Sequence, residues 1–187
     1  MKKHPLLISM PLIMNLFSIQ ALGEEKPSSH STQTHESHTK HSIQALVDEK
    51  SSIGPFGVMK KDKCPVCGMF VHKNPNWVAQ IVFDDNTHVF FDGPRDMFKY
   101  YFDLRKYNPR KTTDGIVSLG VTDYYTVKPI DGKKAFYVVG SDVLGPMGRE
   151  LVPHASEKAA RYFMKDHGGH KVFRFGEINL GLIKTLR

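Results

Sequence analysis

Cysteine is nearly absent from this chain. The 187 residues hold two, Cys64 and Cys67, both inside the stretch KDKCPVCGMFV (Lys61 to Val71). That scarcity excludes a scaffold built on several disulfides, and with no second Cys-x-x-Cys pair a four-cysteine zinc site cannot be assembled. Long apolar runs are missing too. The longest, Leu6 to Ile19, is broken by Pro11 and Asn15 and falls short of the roughly 20 residues a bilayer-spanning helix requires. The glycine-rich stretch Gly145-Pro146-Met147-Gly148 lacks the lysine and hydroxyl pair that would make a phosphate cradle. No constellation for hydrolysis is present either: Asp84 and Asp85 suit a turn and Asp92 a helix cap, so the chain reads as a non-enzyme. Charge is only mildly one-sided, at +7. The densest basic run, Arg105 to Lys111, has no aromatic interleaving, and no nucleic-acid partner is expected.

What is present begins with an export segment. Lys2 and Lys3 give a positive start, an apolar stretch follows, and Ala21-Leu22-Gly23 supplies small residues for cleavage, so residues 1–23 read as a signal peptide. Removing it takes two lysines and lowers the net charge to +5, with the mature chain starting near Glu24. No cysteine lies near that junction, so a lipidated N-terminus is not expected, and membrane association would come only through an uncleaved signal. Residues 24–52 are polar and histidine-rich, with His30, His35, His38 and His41 closely spaced. Such a segment cannot bury enough apolar surface to offset its ordering entropy, and it reads as a disordered tether. Its imidazoles suit loose capture of Cu(II), Zn(II) or Ni(II), or nothing more than a polar linker.

The globular part starts near Ile53. Residues 77–84 and 88–92 are short β-branched and aromatic runs around Asp85-Asn86-Thr87, a hairpin signal. A helix follows from Gly93-Pro94, capped by Asp92, with Met97, Phe98, Tyr101 and Leu104 on one face and an end at Asn108-Pro109. Strand patterns recur after Gly115 and from Lys133, across an Asp131-Gly132 turn. Ser156 then caps a second helix that ends at Gly168-Gly169, and a last strand runs from His170 to Phe175. The expected class is α+β: two small ββαβ units packed together, residues 60–128 and 129–178, sharing element order and almost no sequence.

Four chemistries compete for the cysteine motif. A thioredoxin-type dithiol would sit at the start of a helix, which Gly68 and Asn74-Pro75-Asn76 preclude. Zinc on Cys64, Cys67 and scattered histidines lacks the usual second pair. A disulfide would close a tiny loop and stabilise little. Thiolate and thioether sulfur together favour Cu(I), and in an extended stretch Cys67 and Met69 would face the same side across Gly68. Met147, on a glycine-flanked loop, is the best candidate for a further ligand. Met97 and Met164 suit packing, Met59 stays undecided, and His72 and His88 are candidates for a nitrogen ligand.

The segments CPVCGM, PNWVAQIVF, FFDGPRDMFKYY and YVVGSDVLGPMGRELVPHASEKAARYFMKDHGG, between about Lys63 and Glu177, together resemble the nitrous-oxide reductase accessory family, NosL. The resemblance implies an exported, periplasmic copper(I)-binding protein of two ββαβ units. It would deliver copper to nitrous-oxide reductase, working beside a copper-delivery transporter. It implies Cu(I) on Cys67 and Met69, with Met147 as a further ligand. Three departures stand out: the lipoprotein cysteine is missing, the histidine-rich tether is an addition, and Cys64 is open between ligand and redox gate. A thiol-disulfide oxidoreductase using Cys64 and Cys67, and a general copper-tolerance protein, are the alternative readings.

Overall fold

The computed structural model describes residues 55–186. The expected signal peptide and histidine-rich tether lie outside them. The elements are β1 (Ala79–Phe83), β2 (His88–Phe91), α1 (Pro94–Phe102), α2 (Leu104–Tyr107), β3 (Ile116–Thr122), β4 (Pro129–Asp131), β5 (Phe136–Val139), β6 (Leu144–Gly145), β7 (Gly148–Arg149), β8 (Val152–His154), α3 (Glu157–Asp166), β9 (Lys171–Arg174) and α4 (Leu180–Thr185). The class is α+β with the ββαβ order occurring twice. The antiparallel sheets run β2-β1-β3-β4 and β8-β5-β9, so in each unit the first strand lies between the second and third.

Period-two patterning sets the first sheet. Ala79, Ile81 and Phe83 are buried while Gln80 and Val82 are half-buried, as alternate residues of a strand face opposite sides. The turn into β2 is held by Asp85, whose Oδ1 accepts from the Thr87 amide and hydroxyl at 3.1 and 2.6 Å. Pro129–Asp131, placed with the second unit on sequence grounds, pairs instead with β3 and widens the first sheet.

Strand β5 shows why the two units do not separate. Tyr137 and Val139 face a core that also contains Ile81, Phe91 and Phe98, whereas Val138 faces a smaller cluster with Val152, Ala160 and Phe163 beneath α3. The second sheet is thus covered on both faces, and Phe98 of α1 meets Tyr137 edge-on at 5.3 Å between ring centres. Helix α1 is correspondingly buried at Pro94 to Phe98 and at Tyr100. It stops at Phe102 rather than running to Asn108, because Asp103 leaves helical geometry at φ −128° and ψ 48°. A short turn, α2, then stacks Tyr107 on Tyr100 at 5.7 Å.

Ser156 caps α3 as expected, accepting from the Ala159 amide at 3.2 Å. Met97 and Met164 pack in the two clusters, as the sequence suggests. Helix α4 was not anticipated; it buries Ile183 and sets Leu186 into the main core. Among the described residues no helix is long and apolar enough to cross a membrane.

Candidate metal centre

The cysteine motif folds as a tight turn. Lys63 and Phe70 form an antiparallel bridge, the Cys64 amide donates to the Met69 carbonyl at 2.9 Å, and the Gly68 amide donates to the Cys64 carbonyl at 2.8 Å. Gly68 sits at φ +79°, a left-handed conformation that a side chain would strain. An extended stretch that places Cys67 and Met69 on one side is therefore not what the chain adopts here; the backbone turns between them. Amides point at both sulfurs: those of Cys67 and Val66 in the turn, and that of Asp92 from across it, at Cys64, and that of Met69 at Cys67. Amide donors of this kind stabilise thiolate, the form that binds metal.

Opposite the turn stands the start of α1. Gly93 is its N-cap residue, Pro94 opens it, and Asp96 lies in its first turn. The expected cap by Asp92 is not made. Glu150, arriving from β7, supplies the acceptor instead: its Oε1 takes the Arg95 amide at 2.6 Å and the Leu151 amide at 2.9 Å. Asp92 is thereby left to face the cysteines. Cys67 Sγ lies 3.3 Å from Asp92 Oδ2, and Cys64 Sγ lies 3.7 Å from Asp96 Oδ2. Asp96 Oδ1 accepts from Lys99 Nζ at 2.7 Å, while Asp92 Oδ1 is buried with no partner. One donor atom each from Cys64, Cys67, Asp92 and Asp96 fall within 4.8 Å of one another.

Both thiols are free. Burial pushes the Cys67 thiol up to about 11, against the opposing pull of the Met69 amide, and the Asp92 charge adds to the rise. Burial likewise pushes Cys64 up. Without a cation, then, both sulfurs hold their protons at neutral pH. Cys64, Asp92 and Asp96 are buried and Cys67 is partly exposed, so the cluster meets solvent through Cys67.

Met147 sits at the tip of the β6–β7 hairpin with 42% of its surface exposed. Its carbonyl accepts from Arg95 Nη2 at 2.6 Å, and Nη1 of Arg95 donates to the carbonyls of Arg149, at 3.0 Å, and of Leu186. The residue next to Asp96 thus anchors the Met147 hairpin to the start of α1. Met147 also borders an open groove of about 430 Å³ with Arg95, Lys99, Lys106 and Lys184. Met69, two residues after Cys67 in the chain, is half-buried. Among the described residues, His72 and His88 stand outside the four-donor cluster: His88 is exposed, and His72 is half-buried with its Nδ1 unpartnered. Met59 is half-buried, and its amide donates to Asp62 Oδ2 at 2.7 Å.

Asp92 and Asp96 are the residues that sequence reasoning missed. Their signal is visible in VFFDGPRDMF, where two carboxylates four apart sit among apolar and aromatic neighbours. Helix capping accounted for the first, and an acid in a first helical turn is ordinary enough to hide the second.

A family model described as NosL matches residues 55–183. The copper-binding lipoprotein NosL of Stutzerimonas stutzeri is 28% identical over 148 residues, covering 72% of this chain and 71% of that relative. The crystal structure of the copper chaperone NosL from Shewanella denitrificans, at 24% identity, shares the fold with a TM-score of 0.58 over 66% of this chain and 94% of its own. The solution NMR structure of the apo-NosL protein from Achromobacter cycloclastes is 28% identical, covering 56% of this chain and 87% of that one, with a TM-score of 0.41. With its matched region spanning most of its length, this chain belongs to the NosL family.

Proposed function

We propose that this protein carries copper as cargo. It binds Cu(I) through Cys67, with Met69, Met147 and Cys64 as the further sulfur donors, and releases it by ligand exchange without transforming a substrate. The observation that carries the reading is the half-exposed Cys67 thiol at the mouth of a cluster otherwise buried. An incoming thiolate or imidazole can reach an ion there before an existing ligand leaves, and Cu(I) tolerates the low coordination this requires. The names of the relatives, a copper-binding lipoprotein and a copper chaperone, support the same cargo.

We place the setting in the periplasm, with nitrous-oxide reductase or its copper-delivery transporter as the receiving partner, a reading supported by the export signal in the sequence and by the description of a relative as a lipoprotein. The dithiol oxidoreductase reading has less support. Exchange chemistry uses a thiol of lowered pKa, whereas Cys67 is raised to about 11 by burial. A general copper-tolerance role would use the same site, and the identity of the acceptor protein separates the two.

The test is an anaerobic Cu(I) titration of the reduced protein against a chromophoric chelator. Wild type should bind close to one ion per chain. Cys67→Ser and Met69→Leu should each weaken binding at least tenfold, and deletion of residues 24–52 should leave it unchanged. Binding that persists in Cys67→Ser but vanishes with the deletion would move the site to the histidine-rich segment and sink this assignment.

A further inference from the structure

Helices α2 and α4 and the β6–β7 hairpin border an open groove whose lining the fold does not use up. Helix α4 packs against α1, and the Arg95 guanidinium donates to the carbonyls of Met147, at 2.6 Å, and of Leu186, so one side chain fixes both walls. The groove is therefore formed before anything enters it, as binding clefts usually are. Ile183 and Leu186 are buried along its floor, while Met147 and Leu180 on its rim are 42% and 38% exposed.

Positive charge converges on the same place. Arg95, Lys99, Lys106 and Lys184 line the groove against a single carboxylate, Asp103. Carbonyls take up the Arg95 guanidinium and Asp96 takes up Lys99, but Lys106 and Lys184 are exposed and form no ion pair among the described residues. Lys99, Lys106 and Lys184 each lie in the last turn of a helix, where a cation complements the helix dipole. That accounts for each lysine singly. It does not account for their meeting around two exposed apolar side chains.

We propose that this groove docks an acidic segment of a partner protein, one that carries apolar side chains between its carboxylates. The apolar side chains seat against Met147, Leu180 and Ile183, and the carboxylates meet Lys106 and Lys184. Exposed apolar surface rimmed by polar groups is a common mark of a protein contact, and opposite charge across it speeds encounter and selects the partner. An inorganic anion would leave the apolar rim unused, and a flat anionic membrane would reach the lysines without filling the concavity. Docking does not rest on the copper reading. Its consequence does, since an occupant that covers Met147 acts on a candidate copper ligand.

The probe is a short dye-labelled peptide of alternating glutamate and leucine, added to the reduced, metal-free, full-length protein and followed by fluorescence anisotropy at low salt. It should bind, and control peptides with lysine in place of glutamate, or serine in place of leucine, should bind about tenfold more weakly or worse. Lys106→Glu combined with Lys184→Glu, and Leu180→Ser alone, should each weaken peptide binding by a similar factor and leave the Cu(I) titration unchanged. No binding, equal binding of the lysine peptide, or equal binding by the folded variants would overturn the proposal. So would inorganic phosphate that displaces the peptide better than sodium chloride of equal ionic strength, which assigns the groove to a free anion. Phosphatidylglycerol vesicles that bind through the same lysines where the peptide does not would assign it to a membrane. Should a variant not fold, peptide-induced amide shifts of the wild type decide: changes at residues 104–107, 144–149 and 180–186 support the site, and changes confined elsewhere contradict it. A protein that docks the peptide but binds no Cu(I) would support the groove and strike the copper reading alone.

Discussion

Cys67 and Cys64 are protonated in the metal-free protein at neutral pH because burial raises both thiols, Cys67 to about 11. A cation binds the thiolate, so each ligating thiol has to release its proton. Apparent Cu(I) affinity should therefore rise about tenfold per pH unit for each thiol engaged, from pH 6 to pH 8. Competition titrations at three pH values measure the slope directly. One proton per ion would mean Cys67 alone, two would add Cys64, and a flat response would mean that neither sulfur is the ligand. Gly68 is a second residue on which the site depends. A Cβ there meets nothing within 4 Å, so Gly68→Ala should act only through its φ of +79°, weakening the turn by about 1 kcal/mol without crowding the sulfurs. A thermal melt of the metal-free variant checks it.

Helix α1 is the element on which site and fold converge. Its N-terminal amide is satisfied by Glu150 across the molecule, and its Arg95 reaches the carbonyls of Met147, Arg149 and Leu186. Burial pushes the Glu150 carboxyl up to about 8, outweighing the Arg95 and Leu151 amides and the Arg95 charge that oppose it. The folded chain thus keeps a proton that the unfolded chain releases from about pH 4.5 upward. Stability from this group is full below that and is lost as pH rises through about 8. Glu150→Gln retains the carbonyl acceptor, so it should flatten that slope at little cost. Glu150→Ala leaves two buried amides unpaired and should lose about 2–4 kcal/mol.

His154 on β8 behaves in the opposite sense. It is fully buried among Tyr124, Tyr125 and Phe163, neither ring nitrogen has a partner, and desolvation lowers it to about 4. The unfolded chain takes up a proton between about pH 6.5 and 4 that the folded one refuses, so stability falls as pH drops through that window. His154→Phe should remove that acid sensitivity and stabilise the fold by about 1 kcal/mol at pH 7, read from denaturant unfolding at pH 5 and 7.

These elements also mark how far the sequence could be read. The hairpin, the two helices, the Ser156 cap and the doubled ββαβ order are local patterns of periodicity and turn chemistry, and they are visible in the chain itself. The Cys-x-x-Cys turn was equally legible as a place of interest. Asp92 was not, because its role depends on Glu150 taking the cap from 58 positions away, a contact no local pattern encodes. The break at Asp103, the pairing of Pro129–Asp131 with β3 and helix α4 were missed for the same reason: each is decided by what packs against it.

At the scale of the whole molecule the two ββαβ units behave as one folding body, since Phe98, Tyr137, Ile178, Ile183 and Leu186 share a single core. The C-terminal segment belongs to that core. Ile183 and Leu186 are 2% and 4% exposed, and burying side chains of this size contributes about 1.5–3 kcal/mol each. Removing residues 179–187 should destabilise the fold by several kcal/mol and free the Arg95 guanidinium from the Leu186 carbonyl, loosening the hairpin that carries Met147. A melting temperature lowered by many degrees, with weakened Cu(I) binding in what remains folded, is the expected result.

The central claim is that copper is held by the sulfur of this cluster. Copper K-edge X-ray absorption on protein loaded anaerobically with one equivalent of Cu(I) tests it most directly. The account predicts a low-coordinate ion with two or three sulfur neighbours and a first shell that changes in Cys67→Ser. A shell made mainly of nitrogen or oxygen, unchanged in Cys67→Ser, would contradict it.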